Sequence, residues 1–238
     1  MGGRFQTTRW SVVLQAGEAG GEPSRQALAE LCEAYWYPVY GFVRGQGNPE
    51  QDAKDLTQAY FAELLDKGFL QGLHPEAGRF RAFLLVSIRN FLSHQRDHER
   101  ALKRGGAHPT VALDLALAER HLSTEQSGEK SPERSFEMRW ARTLVRRSVE
   151  RLESEFAEGG QADRFTLLRG FLIDDGPTRP YAEIAEQLGV TENAVKTMVR
   201  RLRHRFGVVI RAEVAQTVGD HEDVDVELRH LLQVLENR

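Results

Sequence analysis

The sequence predicts an all-α protein with two helical domains joined by a flexible linker. Apolar residues recur at helical spacing along most of the 238 residues, and the alternating pattern of β-strands is nearly absent. Residues 107–132 lose this periodicity and become rich in Ser, Thr, Glu and Gly. We therefore expect domains at residues 1–106 and 133–212, an acidic linker at 107–132, and a C-terminal amphipathic tail at 213–238.

Each domain is predicted to contain several helices that end at glycine or proline. The turn at residues 45–49, for example, contains two glycines and a proline, which favour the end of a helix. The predicted helices of the first domain are residues 24–44, 50–67 and 79–104, and those of the second are 133–157, 163–173, 180–188 and 191–210.

The composition excludes several classes of protein. Apolar residues make up 40% of the chain and charged residues 28%, as in globular proteins. No apolar run approaches the ~20 residues of a membrane span, and the N-terminus lacks the pattern of a signal peptide. The single cysteine, Cys32, excludes an internal disulfide and fits a reducing compartment. We therefore expect a cytoplasmic protein.

The net charge of -3 conceals two basic segments, at residues 79–104 and 196–211. A protein that neutralises phosphates needs local basic faces rather than a basic total. One such run can equally be a solvated helix face, but two in separate domains favour nucleic-acid binding.

Residues 181–206 predict a helix-turn-helix. Ile184 and Ala185 give the first helix a buried side, Gly189 supplies the turn, and Thr191 is a good N-cap for the second helix. Such a helix can enter the major groove of DNA. The alternative is a helical hairpin with a charged outer face.

A helical wheel divides this second helix into a core side and an outer side. Val195, Val199, Leu202 and Phe206 fall on the core side. Arginine suits guanine edges, asparagine adenine edges and lysine phosphates, so we assign the outer side to DNA. It carries Asn193, Lys196, Thr197, Arg200 and His204, and we group Arg201 with them.

The helix at 50–67 is predicted to carry an acidic ridge opposite an apolar side. The ridge suits a basic protein surface, although a solvated acidic face is the ordinary alternative. The wheel places Asp52, Asp55, Ala59, Glu63 and Asp66 on the ridge, and Ala53, Leu56, Tyr60, Phe61 and Leu64 opposite.

The helix at 79–104 combines a basic stripe with aromatic residues. A stripe of Arg89, Arg96, Arg100 and Lys103 has the sign and length to follow a phosphate backbone. At its start, Phe80, Arg81 and Phe83 mix aromatic and basic groups, which suits stacking on single-stranded DNA. Core roles for Phe80 and Phe83 remain open.

In their order along the chain, the helices at 50–67 and 79–104 and the helix-turn-helix at 181–206 resemble the sigma factors of the extracytoplasmic-function subfamily of the sigma-70 family. The resemblance covers roughly residues 24–210 and implies a sigma-two-like domain, a linker and a sigma-four-like domain. It implies transcription initiation, with core RNA polymerase and promoter DNA as partners and neither enzymatic activity nor a cofactor. An anti-sigma factor or another regulator is a further candidate partner.

The resemblance also implies roles for individual residues. Ala59 departs from the family, which usually carries an acidic residue there. The resemblance assigns polymerase binding to Asp52, Asp55 and Gln58. Contacts to the minus-ten element fall to Phe80, Arg81, Phe83, Arg89, Arg96, Arg100 and Lys103, and contacts to the minus-thirty-five element to Asn193, Lys196, Thr197, Arg200 and Arg201.

The sequence also raises three alternative functions. His94 and His98 have a spacing that can hold zinc, but a third ligand and a catalytic glutamate are missing, and both histidines continue the apolar stripe of their helix. A stand-alone helix-turn-helix regulator would bind palindromic DNA without polymerase. A decoy that binds polymerase but not promoters would not need the basic recognition helix.

The tail is predicted to end in an amphipathic helix that needs a surface to cover. Its apolar side consists of Leu228, Leu231, Leu232 and Leu235, after an acidic run that starts at Asp220. We expect it to extend the core of the second domain. The alternatives are a partner protein, or a brake whose acidic residues compete with DNA for the recognition helix.

Overall fold

The computed structural model describes residue 10 and residues 22–65, 79–101, 131–172, 179–218 and 223–236. Within these residues the protein is all-α, as predicted, and no helix is long and apolar enough to cross a membrane. The helices are α1 (Glu22–Gly45), α2 (Glu50–Leu64), α3 (Phe80–Ala101), α4 (Pro132–Glu158), α5 (Ala162–Leu168), α6 (Tyr181–Leu188), α7 (Glu192–Ala215) and α8 (Asp223–Glu236), with a short 3-10 helix at Arg169–Phe171.

Most of the predicted helices are present with small shifts at their ends. α7 continues beyond the predicted end at residue 210 to Ala215, and the predicted helix 163–173 divides into α5 and the 3-10 helix. Apart from its last two residues, the predicted linker lies outside the described residues.

The chain divides into two compact units. The first unit lies within Met1–Thr143 and Ala215–Arg238, and the second is Leu144–Val214. The beginning of α4 therefore belongs to the first unit and the rest of α4 to the second. The predicted domains divided the chain at residues 107–132 instead, and they kept the tail apart.

The core of the first unit is aromatic. Phe42 in α1 meets Phe136 in α4 edge to face, and the Trp140 indole donates a hydrogen bond of 3.0 Å to the Tyr35 hydroxyl. At Gly41 a Cβ atom would lie 2.6 Å from the side chain of Arg139, so glycine permits this close approach between α1 and α4. The thiol of Cys32 is also buried here, and burial raises its pKa.

The tail belongs to the first unit, and the expectation that it extends the core of the second domain is met only in part. Its helix contacts Glu137 and Trp140 of α4, which the sequence assigned to the second domain, but it also packs on α3 of the first. Val224 and Leu231 of α8 are buried, and Glu227 of the same helix forms an ion pair with Arg81 of α3. The physical reason is that this carboxylate is fully buried and needs a cation, which α3 supplies. The wheel alone showed only that α8 has an apolar side.

The second unit has its own core. Leu152 from α4 and Phe165 from α5 are fully buried, and the core continues through both helices of the predicted helix-turn-helix. The remaining buried members are Leu168, Ile184, Ala185, Val195, Val199, Leu202 and Val209.

Candidate nucleic-acid interface

The turn between α6 and α7 is built as the sequence predicts. Gly189 has a φ of +63°, in the left-handed region that glycine adopts without strain. The amide of Val190 donates to the carbonyl of Ala185 at 3.0 Å, which closes the end of α6. The Thr191 hydroxyl accepts a hydrogen bond of 3.2 Å from the Ala194 amide and caps α7. These local bonds fix where α7 begins.

The core side of α7 also agrees with the wheel. Val195, Val199 and Leu202 are 0–3% exposed, and Phe206 is half-buried. They pack with Ile184 of α6 in the core of the second unit. Because these residues repeat every three or four positions, their burial fixes which residues of α7 face outwards.

The outer side of α7 is exposed and basic. The segment between Asn193 and Arg211 contains no acidic residue. Within the described part of the chain, Arg200 and Arg201 take part in no ion pair, and the Lys196 ammonium lies 5.9 Å from the centre of the Tyr181 ring. All five residues assigned to the minus-thirty-five element, Asn193, Lys196, Thr197, Arg200 and Arg201, are exposed.

Two other arginines of α7 have partners within the second unit. Arg203 donates to the carbonyl of Phe171 at 3.0 Å. Arg205 forms two bonds of 2.8 Å with the Glu155 carboxylate, and this pairing lowers the pKa of Glu155. Sequence reasoning missed both roles, because each partner lies at least thirty-two positions away in the chain.

The acidic ridge of α2 is present but narrower than predicted. Asp52, Asp55 and Glu63 are exposed, and Gln58 is half-buried. Ala59 was assigned to the ridge, and this was wrong, because its side chain is only 7% exposed. Asp66 lies outside the described residues. The carboxylates of the described part of the ridge form no ion pair with a basic side chain among the described residues. A nearby ion pair joins Lys54 to Glu50, which is not part of the ridge.

The aromatic residues at the start of α3 are placed in a cluster. Phe80 is 0% exposed, with its ring 4.9 Å from those of Trp10 and Tyr35. Phe83 is half-buried, and its ring centre lies 5.2 Å from that of Trp10. Of the two roles that the sequence left open for Phe80, a core role fits this structure, because a fully buried ring cannot stack on a base.

The start of α3 also holds Arg81, which was assigned to the minus-ten element. Its guanidinium is buried and forms ion pairs with Glu227 and Glu137, while it lies 4.9 Å from the centre of the Trp140 ring. Burial lowers the pKa of Arg81. The hydrogen bond to Glu227 and the charges of Glu227 and Glu137 together raise it by more, so the net shift of this pKa is upward. In this conformation Arg81 is not available to DNA.

The basic stripe of α3 is only partly described. Arg89 is exposed and donates to Glu133 at 2.8 Å, which lowers the pKa of this carboxyl, and Arg96 is exposed near Gln46. The Arg100 side chain and Lys103 lie outside the described residues. Two members of the predicted basic stripe, Arg89 and Arg96, therefore have described side chains.

The histidine pair of α3 was the candidate metal site. His94 is exposed, which contradicts its predicted place on the apolar stripe, and the His98 side chain is not described. The part of the chain that the structure describes contains no group of three metal-ligating residues.

Comparison of the chain with models of protein families, with curated proteins and with solved structures gives no match. The function is therefore inferred from two surfaces: the exposed outer side of α7 and the acidic ridge of α2.

Proposed function

We propose that this protein is a sigma factor of the extracytoplasmic-function type. It binds core RNA polymerase in the cytoplasm and directs it to specific promoters, without enzymatic activity or a cofactor of its own. The observation that carries this proposal is the exposed outer side of α7. There, a polar and basic surface stands on a helix that a glycine turn and a buried apolar side hold in place.

Different side chains on α7 can contact the bases and the phosphates of DNA. Arg200 can donate two hydrogen bonds to a guanine edge, and Asn193 can pair with an adenine edge in the same groove. Lys196 is a compact charge, suited to a phosphate, which positions the helix without reading sequence. Their exposure and the lack of any acidic residue between Asn193 and Arg211 support this division.

The acidic ridge of α2 favours a sigma factor over a stand-alone regulator. Asp52 and Asp55 are exposed, while Tyr60 and Phe61 of the same helix are buried. A rigid helix that presents carboxylates on one side suits docking on a basic protein surface. In a regulator that acts alone on DNA, this ridge has no binding role. In a sigma factor, it binds polymerase.

Run-off transcription with core RNA polymerase tests the proposal directly. The protein and core are combined on a library of genomic promoter fragments, and defined transcripts are expected only when both are present. Binding of palindromic duplexes without any effect on polymerase would favour the regulator instead.

A charge reversal tests the docking surface. Asp55→Lys should weaken binding to core while the fold is kept, because exposed substitutions cost little stability. The matched control is Asp163→Lys, the same exchange at an exposed position of the second unit. Equal affinity of both variants for core would contradict docking through α2.

A further inference from the structure

The C-terminal segment, described at residues 215–218 and 223–236, is bonded to the start of α3. The Phe80 amide donates to the carbonyl of Thr217 at 2.9 Å, and Arg79 forms an antiparallel bridge with Val218. The Trp10 amide donates to the carbonyl of Gln216 at 3.1 Å. The segment therefore covers the beginning of the helix that the sequence assigned to the minus-ten element.

Ion pairs continue this contact along α8. Arg81 donates through Nε to Glu227 Oε1 at 2.9 Å and through Nη2 to Glu227 Oε2 at 3.3 Å. Arg79 lies 3.4 Å from Asp223 Oδ1 and 3.5 Å from Glu227 Oε2. Glu227 is 0% exposed, so its carboxylate is enclosed between α8 and α3.

This arrangement uses the donors with which arginine binds phosphate. The guanidinium fork holds carboxylates and phosphates in the same two-bond geometry, so one anion excludes the other. A buried ion pair is also weak evidence of stabilisation, because desolvation offsets much of its attraction. A role in controlling access to the arginines explains the pair better than stability alone.

We propose that the C-terminal segment is an intramolecular inhibitor of DNA binding at the start of α3, in which Glu227 and Asp223 occupy the arginines that DNA phosphates would contact. The inference rests on the proposed function, since it concerns the same helix and the same ligand. α8 must leave, and Arg81 must also separate from Glu137 of α4, before its guanidinium can reach a phosphate.

The size of α8 makes such a release feasible. It has 14 residues, and isolated helices of that length are marginal in water. Val224 and Leu231 are its buried apolar residues, whereas Val226 and Leu232 are 38% and 54% exposed. α8 also contacts α4, where the His230 ring lies 5.8 Å from that of Trp140 and His230 Nε2 lies 2.5 Å from Glu137 Oε2. Release of α8 therefore requires the loss of this contact as well as of the contacts to α3.

The test compares two glutamate substitutions in the full-length protein. Glu227→Gln removes the buried charge with little change in shape, and Glu236→Gln makes the same exchange at an exposed position of the same helix. The probe is a fluorescent single-stranded DNA oligonucleotide of random sequence. Glu227→Gln is expected to bind it about tenfold more tightly at low salt, with a salt slope steeper by about 0.7 per new phosphate contact. Glu236→Gln should bind as the wild type does.

A double variant shows whether the tighter DNA binding of Glu227→Gln depends on Arg81. Adding Arg81→Gln to Glu227→Gln should abolish the tighter binding, because the donor for phosphate is then gone. Unchanged DNA affinity in a folded Glu227→Gln protein would overturn the proposal. α8 would then contribute only to the stability of the fold. Hydrogen exchange verifies the fold: α8 should exchange faster while α1 and α2 stay protected.

Asp223→Asn serves as a milder second variant should Glu227→Gln fail to fold. The Asp223 side chain is 38% exposed, so its loss costs little stability, and a smaller gain in DNA affinity is expected. No gain would again overturn the proposal. The DNA probe needs no polymerase, so tighter binding together with failed run-off transcription would reject the sigma function and keep the inhibitor.

Discussion

Replacing Arg200 with alanine should change which promoter bases the protein prefers without changing its stability. Arg200 is exposed and forms no ion pair within the described part of the chain, and alanine suits a helix at least as well. The free energy of unfolding should therefore change by less than about 0.5 kcal/mol. A lost two-bond contact to guanine costs about 1–3 kcal/mol, which is about 5- to 150-fold in affinity.

The assay measures binding to duplexes in which the upstream promoter element is randomised. Arg200→Ala should relax the preference at one or two positions. Lys196→Ala should weaken binding to all sequences alike and flatten the salt dependence. The control is Arg203→Ala, because Arg203 is on the same helix but donates to the carbonyl of Phe171. It should lower stability slightly and leave base preference unchanged.

Two results would contradict these assignments. One is the same profile for Arg200→Ala and Lys196→Ala across the randomised positions, and the other is a relaxed preference in Arg203→Ala rather than in Arg200→Ala. Either result would mean that the wheel and the burial of Val199 do not identify the side of α7 that meets DNA.

Three further predictions concern stability and promoter opening. Gly189→Ala should lower the melting temperature of the second unit, because a φ of +63° costs other residues about 1–2 kcal/mol; an unchanged value would show that the turn relaxes. Arg205 lowers the folded-state pKa of Glu155, so this carboxylate adds stability above its unfolded pKa and loses it as pH falls through the folded pKa. Arg205→Gln should therefore flatten the fall in melting temperature on acidification, and an identical pH profile would contradict the pairing. Arg96→Gln should reduce permanganate reactivity of melted thymines without weakening core binding. Normal melting would remove Arg96 from the phosphate stripe.

Most of the helices and the outward side of α7 could be predicted from the sequence. Helix periodicity is local, so the spacing of Val195, Val199 and Leu202 was enough to predict their burial and the exposure of Arg200. The same holds for Gly189, because a left-handed turn between two helices needs glycine whatever surrounds it. These properties depend on neighbours within one or two helical turns.

The roles of residues whose partners are distant in the chain could not be predicted in this way, because they depend on the folded arrangement. Arg81 and Glu227 are 146 positions apart, and no periodic pattern joins them. The burial of Phe80 among Trp10 and Tyr35, and the place of α8 on the first unit, follow from the same assembly. A wheel shows that a side chain faces inwards or outwards, but it cannot show which other segment meets it. That choice depends on packing and on the pairing of buried charges, which exist only once the chain has folded.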